Sequence, residues 1–288
     1  MKIIKYISGY NMIKIALNKA FSAFAICFLL AANPAAANAD TNDTLKQLYE
    51  MQALTLAILS DYYMFSGLEG DSRYNREIES NVKQFEHRLA KITDSTAPTA
   101  KLETLAGALT EWLNFKRLLE TNRTDFLKQG YANARLVSEL SNEGIALGKS
   151  LNKVYGALIE TSGTKPPALT QQTRDMGLII QALTAEYAAR STSSLGQVNV
   201  ISINDGGMEN QGKKFTALLQ KLKDQSKNEK RIYKLVDQVE VKWEFIAKSI
   251  ANYNENAVPF IVSSYGDRIT HDLESINEHY TQNLQAKK

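Results

Sequence analysis

The residues of this chain whose type and spacing suit chemistry are few. Arg174 stands near the start of an expected helix, where the helix dipole does not favour a cation and a bound anion would account for it. The plainer alternative is a solvated side chain or a surface pair with Asp175 or Glu209. Arg190, one turn beyond Tyr187, either extends such an anion site or lies on ordinary helix surface. Tyr62 and Tyr187 occupy matching positions and are candidates for lining a pocket between helices; tyrosines on an apolar stripe also serve as core residues whose hydroxyl reaches the surface. Met176 with His271 and His279 would offer the Met and His axial ligation of a haem held in a four-helix protein. A methionine on an apolar stripe is more simply core, so no cofactor is expected.

Other chemistries find less support. A carboxylate metal site in a bundle needs an inward Glu-x-x-His pair, whereas Glu86-His87 and Glu278-His279 are neighbours that point to different faces. No P-loop, dinucleotide fingerprint, nucleophile elbow or His-Glu-x-x-His run occurs, and the chain reads as a non-enzyme. A second feature is electrostatic. Between Lys213 and Lys234 lie eight basic residues, Lys213, Lys214, Lys221, Lys223, Lys227, Lys230, Arg231 and Lys234, against two acids, whereas Lys83 to Glu103 holds four and three. Such a stretch suits contact with an anionic partner or lipid headgroups, or is the solvated end of a helical hairpin.

The N-terminus and composition restrict the setting. Lys14 and Lys19 precede an apolar run from Ala20 to Ala32, and Ala37-Asn38-Ala39 supplies the small residues of a cleavage site, so residues 1–39 read as an export signal cut after Ala39. The chain is therefore expected in the periplasm; a retained anchor is the alternative, although 13 apolar residues are short for a bilayer. Cys27, the one cysteine, follows Ile26 where a lipoprotein signal requires a small residue. Without the signal no cysteine remains, which excludes disulfides, thiolate metal sites and covalent haem. Cleavage also removes four lysines and no acid, turning a formal charge of +3 into −1, so nucleic acid is not an expected partner.

The elements that must position these residues are helical almost throughout. The chain is expected to be all-α, with two tandem four-helix up-and-down bundles formed by internal duplication. The only two tryptophans carry that reading: Leu105, Phe115 and Leu119 around Trp112 are answered 131 positions later by Val236, Ile246 and Ile250 around Trp243. Phe85 and its stripe match Phe215 at a shift of 130, Met51 and Tyr62 match Met176 and Tyr187 at 125, and Leu151-Asn152 to Tyr155 matches Ile276-Asn277 to Tyr280 at 125. The expected order is a signal over 1–39, a first unit over 40–161, a linker over 162–168 containing Gly163, Pro166 and Pro167, and a second unit over 169–288. The first helix is expected to start near Thr41 to Thr44, with breaks at the turn before Pro98 and at Gly130, and an irregular excursion from Ser191 to Gly207. Spacing does not decide whether the bundles lie end to end or side by side.

This order of landmarks resembles the periplasmic sensory domain of type IV pilus methyl-accepting chemotaxis transducers, the PilJ-type domain, related to helical nitrate-sensing domains. The likeness covers both units and rests on a first helix with Met51 or Met176, a second with Phe85 or Phe215, a third with Trp112 or Trp243, and a fourth ending at Tyr155 or Tyr280. It implies a helical bundle that senses a small ligand, with an inner-membrane receptor or envelope protein as partner. Such domains carry an Arg-Met-Leu-Ser-Gln-like run whose arginine faces an anionic ligand. Here the second unit has Arg174-Asp175-Met176-Gly177, the arginine displaced by one, and the first has Tyr49-Glu50-Met51 with none. The resemblance thus places a small anionic ligand, if anywhere, at Arg174. No transmembrane helix follows Ala39, which makes the chain a freestanding relative rather than a receptor, and the alternative reading is an adaptor docking on an envelope complex without a ligand.

Overall fold

The computed structural model describes residues 34–94, 100–192, 207–253 and 257–285, and every regular element among them is an α-helix. Eight occur: α1 (Pro34–Gly67), α2 (Ser72–Asp94), α3 (Ala100–Gln129), α4 (Ala134–Ser162), α5 (Ala168–Thr192), α6 (Gly207–Ser226), α7 (Lys230–Ala251) and α8 (Pro259–Gln285). The helix starts reflect local chemistry. Pro34 fits the first helical position and the alanines after it are strong helix formers, so α1 begins upstream of the expected Thr41–Thr44, and the expected cleavage point after Ala39 falls within it. Asn133 caps α4 by accepting from the amides of Arg135 (3.1 Å) and Leu136 (3.3 Å). Gly130 and Gly163, at φ of +76° and +66°, end α3 and α4 in the left-handed region that glycine adopts without strain. The expected turn before Pro98 and most of the Ser191–Gly207 excursion lie outside the described residues.

Apolar spacing builds two cores. In the first, from α1 to α4, the Trp112 ring stacks on Phe85 with centroids 3.8 Å apart; in the second, from α5 to α8, Trp243 packs on Phe215 at 4.6 Å. Successive helices run antiparallel. Asn81 meets Asp61 while Arg88 meets Glu50 across α1 and α2, and Arg123 meets Glu79 while Lys116 meets Glu86 across α2 and α3. In the second set, α5 contacts α6 and α8, and α7 contacts both of those helices, which closes a four-helix ring.

The two sets lie side by side, joined along α1 and α5. Tyr49 faces Gly177 and the Tyr63 carbonyl accepts from Thr192 Oγ1 at 3.0 Å, so the two helices run parallel. Of the 25 residues of α5, 17 are buried, more than one amphipathic stripe accounts for. Ala182, Ala185, Ala188 and Ala189 belong to the first core, not the second. The two four-helix units thus share part of their core along α5. Small side chains on α5 let α1 approach, and the approach is closest where a Cβ on Gly67 would sit 2.0 Å from Thr192 Cβ.

This contact gives a direct test. Gly67→Ala forces Cβ against Cβ, which rotamer changes do not relieve, and is expected to destabilise the protein by about 1–3 kcal/mol in urea denaturation. Gly156→Ala, in the interior of α4 with no atom within 4 Å of the added Cβ, is expected to stabilise it by about 0.5–1 kcal/mol.

Candidate functional site

Because most of α1 and α5 is covered by other helices, many of their polar side chains find partners inside the helical assembly. Those singled out by sequence take up such roles. Arg174 is neither solvated nor paired with Asp175 or Glu209: it is buried, donates from Nη1 to the Tyr155 hydroxyl at 3.2 Å and lies 5.6 Å from the Tyr49 ring centre. Its Nε meets no acceptor among the described residues. Arg190 binds the buried Glu186 at 2.8 Å and donates to the Tyr253 hydroxyl at 2.9 Å. Tyr62 and Tyr187 are fully buried; the Tyr62 hydroxyl donates to Asn122 Oδ1 at 3.2 Å, and the Tyr187 hydroxyl accepts from the Val258 amide at 3.0 Å. None of these four lines a cavity described below.

The other candidates disperse. Met176 is enclosed in the second core, His271 is 79 % exposed and His279 approaches Glu229, so the three do not converge. In the basic stretch, Lys213 pairs with Glu209, Lys223 with Glu240 and Asp237, and Lys227 with Asp224, which neutralises part of the expected field. Lys221, Lys230, Arg231 and Lys234 are exposed, while Lys214 borders a groove. Among the described residues no helix is long and apolar enough to cross a membrane, and no group of three or more His, Cys, Asp or Glu is placed to hold a metal ion.

Where the structure gathers functional groups is a trough of about 620 Å³ bounded by α1, α2 and α8, with Gln181 of α5 reaching in. Ala53, Leu54 and Ala57 give it a short apolar wall on α1, and six carboxylates against three Lys or Arg make it acidic. At one end stands Asp61, 7 % exposed, accepting from Asn81 Nδ2 at 2.8 Å through a single oxygen. Burial, then Asp267 and Glu77, drive its carboxyl well above the ordinary range. Asp267 opens onto solvent along the trough, yet desolvation between the helices, with Glu77 beside it, pushes it up to about 6. Arg73 bridges Glu77 at 3.8 Å and only partly offsets this crowding, since its guanidinium is held over the rings of Tyr74 and Phe260. At the other end Glu274 is raised by burial and by Glu50, whose own charge is already taken by Arg88 at 2.8 Å. The trough is thus a facing set of acceptors with too few donors, an arrangement that favours cations and hydrogen-bond donors.

A second groove, about 330 Å³, lies between α1, α4, α5 and α6, at the positions that the repeat makes equivalent to the first. Its chemistry differs. Leu178 and Ile179 stand where the first has Ala53 and Leu54, and Lys149 where the first has Glu274. Glu186, the counterpart of Asp61, is neutralised by Arg190, whose own counterpart is Phe65. Sequence reasoning missed the trough because its acids come from three helices far apart in the chain. The signal was present in the repeat itself: an acid retained at 61 and 186, with a cation one turn on in only one copy.

Comparison of the chain with protein-family models, with curated proteins and with solved structures gives no match.

A carboxyl whose folded pKa exceeds its unfolded value makes the folded state hold a proton that the unfolded state releases. Stability from Asp267 is therefore present below about pH 4 and is lost as pH rises through about 6, and Asp61, held well above its ordinary range, acts in the same direction. Asp61→Asn, which keeps an acceptor for Asn81, should raise the Tm by about 2–4 °C at pH 7.5. At pH 4 it should leave the Tm unchanged, as scanning calorimetry at the two pH values will test.

Proposed function

We propose that this chain is an exported, non-catalytic sensory module of the periplasm that binds a small ligand in the first trough and presents the result to a membrane receptor or envelope protein. The observation carrying the proposal is that the trough is built by both helical sets: α1 and α2 form one side, while α8 and Gln181 come from the other. A molecule wedged there changes the relative offset of the two sets, which is the form of signal a partner can read. The resemblance to PilJ-type sensory domains and the signal-like segment over 1–39 support the same setting. Arg174 borders neither groove, so the ligand is assigned to the trough and not to that arginine.

An adaptor reading draws on a separate feature. Val241 and Phe245, one turn apart on α7, are 62 % and 57 % exposed and form an apolar step suited to a protein partner.

A thermal-shift screen over cationic, zwitterionic and anionic small molecules tests the sensory reading. A ligand present at a hundredfold excess over its Kd is expected to raise the Tm by about 5 °C or more. Ala53→Leu, which copies Leu178 of the second groove, should abolish the shift by filling the wall. If no compound of any charge class stabilises the unsubstituted protein, the adaptor reading replaces it, and Phe245→Ser should then weaken capture of an envelope partner.

A further inference from the structure

We propose that the first trough takes a linear polyamine, a flexible chain bearing ammonium groups about 10 Å apart, with one end held by Asp61 and Asp267 and the other by Glu274. This rests on the trough being the ligand site. Asp267 and Glu274 are seven residues, or two turns, apart on one face of α8, which at about 1.5 Å per residue sets the spacing. Between the two ends, Ala53, Leu54 and Ala57 offer an apolar wall suited to methylene groups.

Charge alone does not carry the assignment. Gln181 belongs to α5, is 6 % exposed and reaches into the trough, where its Nε2 donates to Thr270 at 3.0 Å. Among the described residues no donor reaches its Oε1, nor the second carboxylate oxygen of Asp61. Two residues more than nine-tenths buried therefore present free acceptors to the same space. A secondary or primary ammonium supplies the donors they lack and the positive charge that Asp61 and Glu274 lack, since neither forms an ion pair among the described residues. Of the three Lys or Arg on the lining, Arg88 and Lys46 are engaged with Glu50 and Glu278, and Lys91 is exposed. A metal ion is a poorer fit because no three ligating groups converge among the described residues.

The second unit supplies the internal control, for Lys149 replaces Glu274 on its groove and, outside that groove, Arg190 neutralises Glu186, the counterpart of Asp61. The trough keeps a destabilised acid that its sister has compensated, as expected where a ligand provides the compensation.

Calorimetric titration of the purified protein at pH 7.5 and 150 mM NaCl with spermidine, putrescine and magnesium chloride tests this. Spermidine should saturate one site, and putrescine, too short to bridge both ends, should bind at least about tenfold more weakly. Asp61→Asn and Glu274→Gln should each weaken spermidine by about tenfold or more, and Asp175→Asn in the second groove should not. Unchanged or raised Tm values show that the variants fold. Spermidine binding no better than magnesium, or unaffected by Asp61→Asn and Glu274→Gln, overturns the polyamine assignment. If another class of compound then saturates the trough, the sensory reading stands without it; if none does, both fall.

Discussion

The structure depends on one contact, the parallel packing of α1 against α5. It removes the solvent face from two long helices that would each be half exposed in an isolated four-helix bundle. Each polar group on their covered faces must then be answered from within, because an unpaired buried polar group costs more than a typical hydrogen bond contributes. Most are answered locally: Arg190 by Glu186 and Tyr253, Tyr62 by Asn122, and Tyr187 by the Val258 amide. Asp61 is answered only in part, and the partial answer marks the trough.

Helix content, the glycine breaks at 130 and 163, and the tryptophan-centred cores were legible because they follow from local propensity and from apolar spacing, which a linear sequence records. The joining of the two sets was not. It rests on Gly67, Gly177 and the alanines from 182 to 189, residues whose information is a lack of bulk, and lack of bulk has no periodic signature when the opposite face is also apolar. The same cause misdirected the reading of Arg174. An arginine near a helix start looks like surface until a second helix covers it, and here Tyr49 of α1 does so.

Arg174, the lysine-rich hairpin and two of the three histidines all lie in the second half of the chain. The geometry redistributes these features. The lysines are partly engaged with neighbouring acids, His271 faces outward and His279 approaches Glu229, whereas the acids that converge come from α1, α2 and α8 together. The asymmetry on which the proposed site rests lies in the paired grooves, where an alanine stands in place of a leucine and a glutamate in place of a lysine.

The alanine face of α5 has an evolutionary implication. A single four-helix unit carrying that face would present a strip of small side chains on which a helix of a second copy could pack closely. Such a homodimer has two identical grooves, and any substitution changes both at once. Joining two such copies in one chain would lift that constraint, freeing one groove to close and settle its charges while the other stays open and acidic. Fusion would thus separate the requirement to hold the units together from any requirement to recognise a ligand, and would let each be selected on its own.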